Sequence, residues 1–225
     1  MNLLYVDVPG ALIAWTWLAL GLILAWAARR ARWEHLAACN LTRVWHGAII
    51  AVILLWSLKA RLNDGFTFHL LGMAGITLML GLPLALISAA LAIFVVAVMQ
   101  QAPVSQVAIA WLTLGFVPIV TLDALRRAAE RHLPPNFFIY TFVIAFASTA
   151  VSVLAATLAS LAAWSVVGER DFGELAAVYL PIVIQMGFGE ALLTGMLLTI
   201  FVVYKPHWVA TFDDSRYLRK HPPSV

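Results

Sequence analysis

The sequence predicts an all-α, polytopic membrane bundle of about seven transmembrane helices, and three observations carry that expectation. Hydrophobic residues make up 63% of the 225 positions and charged residues 11%, with a mean hydropathy of +0.94, far outside the soluble globular range. The apolar residues fall in runs long enough to cross a hydrocarbon layer about 30 Å thick, which takes about 20 helical residues. Basic residues gather at the ends of these runs and form no continuous basic face, which reads as topology and not as nucleic-acid binding.

The first run covers 11–28 and is followed by Arg29, Arg30 and Arg32. A cleavable leader carries its charges in front and a small-residue cleavage site behind, so this segment is expected to stay as a helix with the N-terminus outside. The second run covers 44–60, a short third 68–81, and a fourth 83–99, with Gly81 and Pro83 at the join. A fifth covers 106–125, a sixth 137–166 and a seventh 175–204, the last containing Pro181, Gly187 and Gly189 beside Glu190 and so expected to kink or split. Six helices with the third run re-entrant are the alternative.

The N-out, C-in arrangement places Arg29, Arg30, Arg32, Arg43, Arg126, Arg127, Arg131, Lys205, Arg216, Arg219 and Lys220 inside, eleven of the fourteen Lys and Arg. The positive-inside rule favours it. One transmembrane domain over 1–204 and a cytoplasmic tail over 205–225, lying along the inner membrane surface, follow from this division. Ser148, Ser152, Ala156 and Ser160 place small residues at four-residue spacing on the sixth run, where they suit close helix packing.

Several chemistries are disfavoured. Cys39 is the only cysteine, so neither an internal disulfide nor a thiolate zinc site can form. There is no G-x-x-x-x-G-K-[ST] phosphate loop, H-E-x-x-H zinc motif or G-x-S-x-G elbow. The expectation is a transport component and no enzyme, without catalytic residues or a permanently bound cofactor.

The candidate binding residues lie around 63–73. His69 offers an imidazole suited to divalent nickel, cobalt, copper or zinc, and Asp64 precedes it on an expected outward-facing turn. Met73, four residues after His69, would share a helix face with it and add a soft thioether. Glu190 is a carboxyl deep in an apolar run, which either pairs, stays protonated or serves a transport path. Asp123 is expected to pair with Arg126 or Arg127, and His46 to sit at the membrane interface. His35, His132, His207 and His221 fall in segments expected to be cytoplasmic, away from an outer site.

Segment order and local motifs resemble the CbiM/NikM family, the membrane substrate-binding components of cobalt and nickel uptake systems of the energy-coupling-factor type. His69-Leu-Leu-Gly-Met-Ala-Gly-Ile-Thr-Leu-Met-Leu-Gly81 is similar to that family's His-Pro-Thr-Gly segment and glycine-rich helix. Trp111 to Pro118 resembles its next helix, and Gly189-Glu-Ala-Leu-Leu-Thr194 its Glu-Gly-Leu-Leu-Thr segment. Lys205 to Asp214 looks more like the tail of a proteobacterial branch of energy-coupling-factor transporter permeases.

The resemblance implies a multi-pass protein of the bacterial inner membrane that captures a transition-metal ion such as cobalt or nickel on the outer side. A coupling transmembrane subunit and cytoplasmic ATPase subunits would then drive its release. His69 matches the family's internal histidine ligand. The family's other histidine stands at position 2, where this chain has Asn2, so an all-nitrogen planar site would lack that imidazole. Two alternatives stay open: a binder of an organic solute such as a vitamin, and a membrane assembly protein without its own substrate.

Overall fold

The computed structural model describes residues 9–38, 41–58, 60–61, 67–167 and 171–218. The elements are α1 Gly10–Arg30, α2 Trp33–Ala38, α3 Thr42–Ser57, α4 Met73–Leu80 and α5 Leu82–Met99. They continue with α6 Val104–His132, α7 Ile139–Val167, α8 Phe172–Tyr204 and the tail helix α9 Asp214–Tyr217. A two-residue hairpin interrupts the all-helical plan: β1 Ala60–Arg61 pairs antiparallel with β2 Thr67–Phe68, setting Ala60 opposite Phe68 and Arg61 opposite Thr67.

Five helices, α1, α5, α6, α7 and α8, are long and apolar enough to cross a membrane, and α3 is a shorter apolar helix. The third apolar run departs from the seven-helix expectation and agrees better with the six-helix count. Its helical part is only the eight residues of α4, which rise about 12 Å and cannot cross alone. Residues 69–72 ahead of it are not helical, so His69 and Met73 do not share the helix face expected for them. Gly72 takes φ +68°, a left-handed conformation that a side chain would strain, and a Cβ there would also meet Val52 and Leu55 of α3 at 3.1 and 3.2 Å.

A second correction concerns α8, which runs unbroken through Pro181 for 33 residues. Pro181 faces outward, so the lost amide hydrogen bond and the ring's crowding of the Ala177 carbonyl fall on the surface side of α8 and not in the packed core. Departures from α geometry occur elsewhere, in the π-helical stretches Trp111–Phe116 of α6 and Ile139–Ala147 of α7.

Packing follows what a lipid solvent requires. Apolar side chains gain little from leaving lipid, so association rests on close contact and on small residues. Ser148, Ser152, Ala156 and Ser160 are all buried, and the three serines send their hydroxyls back to Val143, Thr149 and Ala156 carbonyls of their own helix. α8 passes alongside: a Cβ on its Gly187 would lie 3.7 Å from Val153 and 3.8 Å from the Ala150 carbonyl. Trp15, Leu22, Val98, Phe138, Phe142 and Ile184 are each more than 60% exposed, a lipid-facing surface. Only Thr16 and Ala27 are buried along α1, which makes it the outermost helix.

The tail folds back onto one end of the bundle. The last turn of α4 leaves carbonyls without partners in its own helix; Ala210 donates its amide to the Met79 carbonyl (2.9 Å) and the Thr211 hydroxyl donates to that of Leu78 (2.7 Å). Tyr140 of α7 bonds the Thr211 hydroxyl at 2.7 Å and meets the rings of Phe212 and Tyr217 edge-on at 4.9 and 5.1 Å. Asp123 pairs with both Arg126 and Arg127 at 2.7 Å, and Arg126 continues to Glu130 at 2.6 Å. Arg216 of the tail donates to the Glu130 carbonyl at 2.7 Å. Arg30, Arg32, Arg126, Arg127 and Arg216 line one cleft of about 710 Å³, so these predicted inner-face arginines share one end of the molecule.

Replacing Ser160 by leucine puts two extra heavy atoms where no exposed surface remains. Thermal unfolding in detergent is expected to show a loss of about 1–3 kcal/mol, against almost none for the lipid-facing Phe142→Leu.

Candidate functional site

The site is built around the unwound stretch ahead of α4. Its backbone amides at Leu71 and Gly72 lie inside the bundle and need hydrogen-bond partners there. Glu190 of α8 supplies both partners: Oε2 accepts from the Leu71 amide at 2.7 Å and Oε1 from the Gly72 amide at 2.8 Å. Successive amides leading into a left-handed residue form a concave anion-binding nest, here at the start of a helix, whose dipole adds to the attraction. Glu190 is 3% exposed. The layer takes about 20 residues of a straight helix, and any such window within 172–204 contains position 190. The carboxyl therefore lies at hydrocarbon depth however α8 is placed.

The Leu71 carbonyl is satisfied from the other side. Trp56, near the end of α3, donates its indole Nε1–H to it at 2.8 Å and is itself 2% exposed. The same indole lies 4.7 Å from the His69 ring, tilted by 41°. His69 Nδ1 is 3.2 Å from the Leu70 carbonyl; a carbonyl only accepts, so Nδ1 donates here, which in a neutral ring is the tautomer with its lone pair on Nε2. That is the tautomer of a metal-ligating imidazole steadied through its second nitrogen.

Three helices close over this stretch. His69, Leu71 and Glu190 line a cavity of about 40 Å³ together with Leu114 of α6, Val153, Ala156 and Thr157 of α7, and Val183 and Met186 of α8. Its size suits a water molecule or a single ion better than an organic ligand, for which pockets run to about 300 Å³ and more. The structure thus brings together two sequence candidates 121 positions apart, His69 and Glu190. Met73 is elsewhere, fully buried in the main core, and Asp64 lies outside the described residues, as do Asn2 and His221. No group of three or more His, Cys, Asp or Glu that could hold a metal occurs among the described residues.

Trp56 and Met186 were not among the sequence candidates. A tryptophan inside an apolar run signals an indole N–H that needs a partner, but the run itself does not show which carbonyl it meets. Met186 carried no signal, since methionine fills cores freely. Of the other described histidines, His46 is exposed against Trp45 at 5.2 Å, and His207 lies exposed beside Trp208 at 6.3 Å. Neither lines the cavity.

Replacing Glu190 by glutamine leaves one acceptor for two amides, and hydrogen exchange should report it. The Leu71 and Gly72 amides are expected to exchange faster by the equivalent of about 1.5–3 kcal/mol, with Trp56→Phe having a smaller effect centred on Leu71 and the middle of α7 unchanged in both.

A family model described as CbiM, cobalt uptake substrate-specific transmembrane region, matches residues 7–208. No curated protein matches the chain. The match spans most of the sequence, and the chain belongs to the CbiM family.

Proposed function

We propose that this CbiM-family protein captures its cation in the cavity shared by His69 and Glu190, with the His69 imidazole as ligand and Glu190 holding the ligand-bearing stretch in place. The family is the substrate-specific transmembrane component of cobalt uptake, so the chain is a multi-pass transport component of the cytoplasmic membrane and not an enzyme. Cobalt is its implied substrate. A neutral imidazole suits cobalt and nickel, and the choice between such ions rests on ligand geometry more than on raw affinity.

The observation that carries the reading is the two-amide grip of Glu190 on Leu71 and Gly72, which fixes the backbone next to His69. With both oxygens engaged by the backbone, Glu190 acts as a positioning group first. Asp64, five residues ahead of His69, is the oxygen donor that the sequence offers as a further ligand. Met73, sealed in the core, would have to leave its packing to contribute its sulfur.

The sidedness supports transport from outside to inside. The end of α1, the Gly81 join after α4, the second half of α6 and the tail all border the cleft that holds five arginines, which is the pattern of a cytoplasmic end. The N-terminus then lies outside, 1–204 forms the membrane domain, and the tail from 205 faces the cytoplasm. A coupling transmembrane subunit and ATPase subunits would meet the protein from that side and supply the energy.

Elemental analysis of purified protein after growth with trace cobalt and nickel tests this. Wild type is expected to hold one ion per chain and His69→Ala none. Asp64→Asn should bind more weakly, and Met73→Leu, a volume-conserving change, should bind as wild type does. Stoichiometric metal in His69→Ala would sink the assignment.

A further inference from the structure

A second cavity, distinct from the His69 site, runs along the opposite side of Glu190. It is a groove of about 540 Å³ walled by α3, α4 and α8. Along α3 its lining extends from Arg43 to Leu55, twelve residue steps or about 18 Å of helix. Between its two ends the walls are apolar side chains and glycines, with Thr194 of α8 as the polar exception. Gly47 of α3 and Gly75 of α4 both face it, and a Cβ on either would meet nothing within 4 Å. Glu190 closes the deep end, with both oxygens turned to Leu71 and Gly72. Arg43 and Trp208 mark the other end.

That end has the character of a membrane interface. Trp208 stands four residues beyond the end of α8, packs at 5.6 Å on Phe201, and lies beside the exposed His207. Tryptophans concentrate at headgroup depth. Arg43 is exposed, and no ion pair joins it to an acidic group among the described residues. Arginines between transmembrane helices at the cytoplasmic side recognise anionic headgroups. The groove's length is close to half of the roughly 30 Å hydrocarbon layer, the reach of one leaflet.

We infer that this groove is a binding site for an anionic phospholipid, with one acyl chain lying between α3, α4 and α8 and the phosphate group on Arg43. An apolar channel reaching mid-membrane needs an apolar occupant in a bilayer, and the unpaired cation at its mouth selects a negatively charged one. The occupant's chain would end against Gly72, on the far face of the stretch that Glu190 holds. This assignment does not depend on which ion His69 binds.

Native mass spectrometry from nanodiscs of mixed phosphatidylglycerol and phosphatidylcholine tests it. Wild type is expected to retain one phosphatidylglycerol per chain. Gly47→Leu and Gly75→Leu, which fill the groove without a backbone clash, should lose it, while keeping the wild-type circular dichroism. Arg43→Gln should keep a lipid but lose preference for the anionic one by about fivefold, the effect of one basic residue near a charged lipid surface. Equal retention in wild type and both leucine variants, no retained lipid in wild type, or unchanged headgroup preference in Arg43→Gln would each overturn the proposal, as would cross-linking from position 47 to another polypeptide in native membranes.

Discussion

The Glu190 carboxyl on the amides of Leu71 and Gly72 is the contact on which the architecture turns. Backbone that leaves the helical state inside a bilayer loses its internal hydrogen bonds, and each unsatisfied group costs several kcal/mol in hydrocarbon. The unwound stretch before α4 is tolerable because a carboxyl answers two of its amides and Trp56 answers the Leu71 carbonyl. The same bonds offset part of the cost of burying a carboxyl, since hydrogen bonds to a charged group contribute about 1.5–3 kcal/mol each. Neither partner would be stable there alone.

From that contact the rest of the bundle can be followed outward. α4 is too short to hold itself, and it is tied at both ends by residues far away in sequence. Glu190 holds the stretch before its first turn, and Ala210 and Thr211 satisfy carbonyls of its last turn. The tail is in turn fixed by Tyr140 and by Glu130, which also closes the Asp123–Arg126 ion-pair series. The eight-residue helix therefore links the stretch 69–72 to the basic end of the molecule.

The two cavities divide the surroundings of Glu190 between two chemistries. On one side lies a space of about 40 Å³ with an imidazole, a hydroxyl and a thioether on its walls; on the other lies a groove of about 540 Å³, nearly without polar atoms. An ion suits the first and an acyl chain the second, because polar lining compensates a charge and apolar lining does not. The stretch 69–72 separates them, so both occupants would bear on the same few backbone bonds.

The sequence by itself determined the membrane class, the positions of the long spans, the clustering of arginines at one end and the packing role of Ser148, Ser152, Ala156 and Ser160. These follow from hydropathy, charge and residue size, which act locally along a helix. His69 and Glu190 were visible as costly polar residues in apolar runs, and Asp123 as a partner for Arg126 and Arg127. Tertiary structure alone decided that 69–72 is unwound, that α8 passes Pro181 unbroken, and that His69, Glu190 and Met186 meet at one cavity. The physical reason is that an apolar run is helical by default, and only partners from other helices, here Glu190 and Trp56, can satisfy a backbone that departs from it.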